Sequence, residues 1–258
     1  MGALLLVGCS QDNKTTSTDQ QDVEVKQALF SEKGKAFLEF ALNDDFETLV
    51  SGGEAQITEY FPLYTAEQIT SDYGKNEIRA NSLYKNKQFF ITGKINSIEA
   101  GIDDKPVVSL KTKANYGFNS PLLSFNKTDQ VKVADLNKGE KVTFLCTGKS
   151  EIAGTPILES CQFLETLEKQ MIEDILKFED QDISKGNSQY KQAVATYAIS
   201  ILGISKASND FEHCKEFNRS CIETALKNKS KEELQKVAKE LETEFPKTKE
   251  KLKQLESK

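Results

Sequence analysis

Between residues 88 and 163, five short runs of β-forming residues follow one another with only small gaps, and this spacing restricts the fold more than any other feature of the 258-residue chain. The runs are Gln88–Ile98, Pro106–Lys111, Leu122–Phe125, Lys141–Gly148 and Pro156–Phe163. In the first, Ile91 breaks strict alternation and Gly93 marks a bulge. Pro106 opens the second, where a missing N–H does least harm. A polar turn, Gly101–Lys105, joins these two, and Asp129–Leu136 is a short helical or turn segment between the third and fourth. Before the first run, Thr65-Ala66-Glu67-Gln68 has the form of a capping box. It predicts a helix to about Leu83 with Ile69, Tyr73, Ile78 and Leu83 facing inward. Strands this short bury an apolar face most readily by closing on themselves, so the pattern predicts a small five-stranded barrel.

The flanks are helical. Ala36, Phe37, Phe40 and Ala41 predict a short helix from Phe30 to Asn43, ended before Ser51-Gly52-Gly53. Beyond the barrel, Leu164, Leu167, Met171, Ile175 and Phe178 share one face. Tyr190, Val194, Tyr197 and Ile201 form a second stripe, and a further helix begins near Ile222. Leu234, Val237, Ala238, Leu241 and Phe245 form the last stripe, interrupted at Pro246. Such stripes read as bundle core. The expected class is α+β: a five-stranded barrel of OB type with flanking helices and an α-helical C-terminal domain. The expected divisions are 1–9 (signal remnant), 10–29 (tether), 30–65 (N-terminal helical segment), 66–165 (barrel) and 166–258 (helical domain).

Several pieces carry a family resemblance. They are Asp72-Tyr73, Asn76-Glu77, Ala80, Tyr84-Lys85-Asn86-Lys87, Ile91-Thr92-Gly93-Lys94-Ile95 and Ile98, then Val107-Val108-Ser109-Leu110, Leu136 through Thr143, Cys146, Gly148, Leu158 and Cys161. Together they resemble the tRNA-anti-like OB-fold family of bacterial lipoproteins over roughly residues 66–165. The resemblance implies an OB barrel; the family name does not itself imply RNA binding.

The N-terminus agrees with that setting. Leu6-Val7-Gly8-Cys9 resembles the lipobox that ends a bacterial lipoprotein signal peptide, with Cys9 as the lipidated residue. Such a signal carries a basic stretch and a longer apolar core. Neither precedes Cys9, so a start upstream is expected. Residues 10–28 are polar and lack aromatics, as a tether would be. Ser10 after the lipidated position implies sorting to the outer membrane, facing the periplasm.

An exported chain meets an oxidising compartment. Cys146, Cys161, Cys214 and Cys221 then allow three pairings. Sequence neighbours are favoured: Cys146 with Cys161, and Cys214 with Cys221. Metal binding at Cys214 is the rival reading for the second pair, because Asp210, Glu212 and His213 lie beside it, although CxxC spacing is absent.

Composition excludes several chemistries. His213 is the lone histidine, which excludes HExxH and three-histidine metal sites. No GxSxG, P-loop or GxGxxG occurs. Asp103-Asp104, adjacent on a turn, is poorly placed for acid–base work, which needs converging carboxyls. No enzyme activity, cofactor or metal is therefore expected. Net charge is −6 and only Arg79 and Arg219 are arginine, a poor balance for duplex DNA. An OB barrel binds on the face of its second and third strands. Here that face would carry Lys111, Lys113, Tyr116, Phe118, Phe125 and Lys127, with Phe125 also readable as core. Rings among lysines suit single-stranded nucleic acid or sugar. Yet residues 66–165 hold 13 Lys/Arg against 12 Asp/Glu, too even for an electrostatic funnel. The expected partner is an envelope protein, peptide or glycan; oligonucleotide binding is the alternative.

Lipidation at Cys9 is testable by expressing the chain behind its native upstream start. The protein should fractionate with membranes, because several acyl chains hold stably where one does so marginally. Cys9→Ser should release it or stall it as precursor. Soluble recovery of both forms would refute the anchor.

Overall fold

The structure, a computed structural model, describes residues 28–113, 119–184, 188–227 and 229–256. Cys9, the tether up to residue 27, Tyr116 and Phe118 lie outside the described residues. Helix α1 (Glu32–Ser51) leads through a short 3-10 turn to β1 (Leu63–Thr65), α2 (Ala66–Lys75) and α3 (Glu77–Tyr84). The barrel comprises β2 (Gln88–Ala100), β3 (Pro106–Leu110), β4 (Leu122–Phe125), β5 (Lys141–Ile152) and β6 (Thr155–Phe163), with α4 (Gln130–Ala134) between β4 and β5. Helices α5 (Leu164–Leu176), α6 (Gln189–Ala207), α7 (Arg219–Lys227), α8 (Lys231–Glu244) and α9 (Pro246–Glu256) follow.

Closure depends on β2, which serves two neighbours in turn. Its first half pairs antiparallel with β5, from Gln88↔Thr147 to Lys94↔Lys141. Its second half pairs with β3, from Ile95↔Leu110 to Ala100↔Pro106. The ring continues β3–β4, then β4–β6 in parallel, then β6–β5, and no edge of the five is left out. This is the expected OB barrel. The three-residue β1, parallel to β2 at Leu63↔Phe90, is too short to leave a pattern in the sequence.

Inside the barrel, Phe89, Ile91, Ile95, Val108, Leu110, Leu123 and Leu158 are buried. Phe125 meets Phe144 edge-on at 4.9 Å, and Phe144 meets Phe163 at 5.2 Å. At 1% exposure Phe125 is core, the alternative reading of that position. Ile69, Tyr73, Ala80 and Tyr84 plug one end. The helix expected through Leu83 is two helices. Asn76 leaves helical geometry (φ −163, ψ 101), and its side chain accepts from the Arg79 N–H at 2.9 Å, capping α3. The break resets the helical phase, so Ile78 is 84% exposed and Leu83 40%, not inward.

Gly148 shows how tightly the wall is drawn. A Cβ there would fall 2.2 Å from the Tyr84 carbonyl oxygen, so only glycine lets β5 approach the end of α3. On the same strand pair, Leu145 faces Gln162 and Thr147 faces Glu159, so Cys146 alone opposes Ser160 and Cys161. Ser160 takes a left-handed φ of 52 to absorb the extra residue. The bulge brings Cys146 and Cys161 to a Cα separation of 4.1 Å, and they form a disulfide inside the barrel.

A second core lies outside the barrel. The N-terminal and C-terminal helices build it together: Phe37, Leu38, Leu42, Phe46 and Leu49 of α1 pack with Leu167, Met171 and Ile175 of α5 and with Val194, Tyr197 and Ile201 of α6. Phe90 and Leu145, from the outer face of the barrel, belong to it too. Helix α1 is longer than its sequence suggests. Ser31 caps it through the Gly34 N–H, and it runs past Asn43 to a left-handed Gly52 (φ 84). Its buried stripe is displaced from the expected one, since Ala36 faces solvent. On α8, Leu241 is buried while Leu234 is 42% exposed. Ala238 is also exposed.

Asp45 explains why α1 continues through Asn43-Asp44-Asp45. Its carboxylate accepts the Gln56 N–H at 2.6 Å, the Ile57 N–H at 2.9 Å and the Tyr197 hydroxyl. One side chain thus fixes α1, the following turn and α6. Burial, and then the Asp45 charge, push the Tyr197 phenol far above its ordinary range.

Two stability predictions follow from these contacts. Asp45→Ala strands three donors and should cost about 2–4 kcal/mol in urea unfolding; a loss within about 0.5 kcal/mol would mean the clamp contributes nothing. Replacing Cys146 and Cys161 by Ala should cost roughly 3 kcal/mol on the chain-entropy scale. Non-reduced peptide mapping should recover the 146–161 link, and alkylation of both thiols without reductant would reject it.

Candidate functional site

The β2–β5 wall is covered by helices; the β3–β4 wall is not. On it lies a cleft of about 530 Å³. Val107 of β3, Leu122 and Ser124 of β4 and Ile157 of β6 form its floor. One rim is Glu99 with Asp103 and Lys105 of the β2–β3 loop. The other is Lys149, Ile152 and Glu159 beside the β5–β6 hairpin.

Local chemistry shapes both rims. Asp103 and Asp104 occupy left-handed backbone (φ 61 and 57), which aspartate tolerates better than most residues. The Gly101 N–H donates to the Lys105 carbonyl at 2.8 Å and closes that loop. At the opposite rim the two-residue turn has φ of 51 at Ala153 and 84 at Gly154, the pairing that matches strand twist. A Cβ on Gly154 would sit 2.5 Å from the Asn119 amide nitrogen, so the turn rests against the end of the β3–β4 connection.

The cleft is mixed in character. Lys149 pairs with Glu159 at 2.8 Å. The lining holds Lys105 and Lys149 with Glu99, Asp103 and Glu159, so it carries no cationic excess. Ile152 is 68% exposed and Leu122 36%, apolar surface of the kind that marks a contact site. No aromatic ring among the described lining residues faces solvent.

The lysines singled out in the sequence do not gather in this cleft. Lys111 lies just past the far end of β3, its N–H donating to the Lys94 carbonyl at 2.7 Å. The Lys113 N–H donates to Glu67 at 2.6 Å, toward α2. Lys127 begins a 3-10 turn after β4, one residue beyond Asn126 of the lining. All three are exposed. Sequence reasoning missed Leu122, Ile152 and Ile157 because isolated surface aliphatics in strands look like ordinary core positions. The signal was available: on β4 the alternation that buries Leu123 and Phe125 must turn Leu122 outward.

The remaining reactive groups are occupied. Cys214 and Cys221 are joined, with Cα atoms 5.7 Å apart, so the metal reading of Cys214 fails. Asp210 accepts hydrogen bonds from Ser31 at 2.6 Å and Ser205 at 3.1 Å, and Glu212 accepts from Asn209 at 2.8 Å. Among the described residues no group of three or more His, Cys, Asp or Glu is placed to hold a metal ion. Nor is any described helix long and apolar enough to cross a membrane.

Comparison with known proteins adds the family. No curated protein matches the chain. Among solved structures, a presumed nucleic acid-binding lipoprotein from Klebsiella pneumoniae subsp. pneumoniae is 20% identical, covering 40% of this chain and 90% of its own, with a TM-score of 0.34. RecG bound to a three-way DNA junction is 13% identical, covering 57% of this chain and 24% of its own, with a TM-score of 0.29. The tRNA_anti-like family model matches residues 1–162, from the N-terminus through the last barrel strand. With a closed OB barrel in place and more than half its length matched, this chain is a member of the tRNA_anti-like family.

Proposed function

We propose that this protein is a noncatalytic, lipid-anchored component of the bacterial cell envelope, held to the outer membrane through Cys9 and facing the periplasm. Its OB barrel binds an extended segment of a protein partner in the β3–β4 cleft. The observation that carries this reading is the apolar surface of Val107, Leu122 and Ile157 on the floor with Ile152 on one rim, in a lining where Lys105 and Lys149 face Glu99, Asp103 and Glu159. An extended peptide can seat alternate side chains on such a floor while its polar groups meet the rims. A glycan or a single strand of nucleic acid calls for exposed rings, and the strand calls for unpaired cations as well. Among the described lining residues the cations are Lys105 and Lys149, and Lys149 is already paired.

A noncatalytic role draws support from the same residues. The four cysteines at 146, 161, 214 and 221 are tied in disulfides and offer no thiolate nucleophile. Among the described lining residues of the cleft there is no histidine and no cysteine to serve as base or nucleophile.

The test compares two sets of variants of the full chain. Extended peptides with alternating apolar residues should bind, and Leu122→Asp with Ile152→Asp should weaken them at least about tenfold, an effect of about 1.4 kcal/mol. Lys111→Ala, Lys113→Ala and Lys127→Ala together should leave peptide binding unchanged. The opposite pattern would replace this reading with an oligonucleotide-binding one: retention of a single-stranded oligonucleotide that falls with salt and is lost in the lysine variant.

A further inference from the structure

We propose that the Cys214–Cys221 disulfide is a redox latch that holds α7 as a strap across an apolar cleft between α1 and α6, and that reducing it releases the strap. The cleft measures about 360 Å³. Phe37 and Phe40 of α1 and Ile201 and Ile204 of α6 line it, and Ile222 and Leu226 of α7 close it.

Besides the disulfide, the segment is held ahead of α7 by Phe217, whose ring lies 5.8 Å from Phe37 and 5.3 Å from Phe211, while α7 itself is lightly held. It buries no residue fully, unlike α1 and α6 on which it lies. Arg219 grips Asp44 with two prongs, Nη2 to Oδ2 at 2.9 Å and Nε to Oδ2 at 3.1 Å. That pair is solvent-exposed, 67% and 36%, and so contributes little. The disulfide joins the first turn of α7 to the loop after α6 across a sequence separation of 7.

That loop is anchored just before the latch. Asn209, Asp210 and Phe211 are consecutive left-handed residues (φ 55, 52 and 54), a conformation that phenylalanine rarely adopts. Hydrogen bonds from Ser31 and Ser205 to Asp210 hold them, and Phe211 is fully buried 4.7 Å from Phe37. The strained turn therefore stays pinned at Phe211, and release is confined to the segment beyond it.

The two disulfides differ in access. Cys146 and Cys161 are 1% and 0% exposed within the barrel, whereas Cys214 and Cys221 are partly exposed. A dithiol reductant meets the second pair first. Its thiolate attacks one sulfur of the pair, and the other leaves as a thiolate and takes a proton. The reductant's second thiol then displaces the remaining cysteine from the mixed disulfide. Two electrons pass to the pair, Cys214 and Cys221 end as thiols, and the dithiol ends as a disulfide.

The test treats the full chain with graded dithiothreitol without denaturant, following alkylated peptides and hydrogen exchange together. Cys214 and Cys221 should be alkylated while Cys146 and Cys161 remain joined. Amides in 219–227 should then exchange up to roughly fifty-fold faster, the effect of removing so short a cross-link on the chain-entropy scale. Amides of α6 and β2 should not change. Cys214→Ser with Cys221→Ser should show the fast exchange with or without reductant, and if that variant does not fold, reduced wild type decides alone. Asp44→Ala, oxidised, should keep α7 protected. A reduced pair with 219–227 unchanged, equal loosening of α6, or simultaneous reduction of both disulfides would each overturn the latch.

Discussion

Phe90 is the residue on which the architecture turns. Side chains alternate along a strand, so Phe89 and Ile91 point into the barrel while Phe90 points out. All three are at or below 1% exposure, because at Phe90 the outward face of β2 is covered as fully as the inward one. Phe90 meets Phe61 edge-on at 5.9 Å and Phe46 at 6.4 Å. Its partner across the strands is Leu145, also buried against the helices. A fully buried phenylalanine is worth about 2–3 kcal/mol in transfer terms. Here that burial joins the barrel to a bundle drawn from both ends of the chain.

This arrangement divides the surface by use. The β2–β5 wall is spent on packing against α1, α5 and α6, which leaves the β3–β4 wall open, with Leu122 and Ile152 in solvent. The bulge at Ser160 serves both sides, since it sets Cys146 against Cys161 inside while Ser160 itself lines the cleft outside. The cleft is thus backed by a cross-linked wall, which favours a rigid binding platform. The proposed release of α7 sits on the helical side, away from that platform.

The five strands were legible in the sequence because each is a compact β-forming run between turn residues. The broken alternation at Phe89-Phe90-Ile91 was visible too, but its cause was not. Only the tertiary fold shows that both faces of β2 are buried over residues 89–91. The inward assignment of Ile78 failed because Asn76 resets the helical phase, an effect of one capping side chain that periodicity does not register. The early end expected for α1 reflects the same limit: the stripe Ala36, Phe37, Phe40 and Ala41 stops there, while the contacts of Asp45 with Gln56, Ile57 and Tyr197 that carry the helix on are tertiary. Of the candidate site, the wall was inferable from OB topology. The residues were not, because charge and aromatic content pointed to Lys111, Lys113 and Lys127, while the floor is mostly aliphatic.

Hydrogen exchange in rising urea tests the shared wall most directly, comparing Phe90→Ala with the parent chain. If Phe90 couples the two cores, amides of the β2–β5 ladder and of α6 open with one free energy in the parent. The substitution should then lower both by the same amount, about 3–5 kcal/mol. Separate opening energies in the parent, or a loss confined to the barrel or to the bundle, would contradict the coupling.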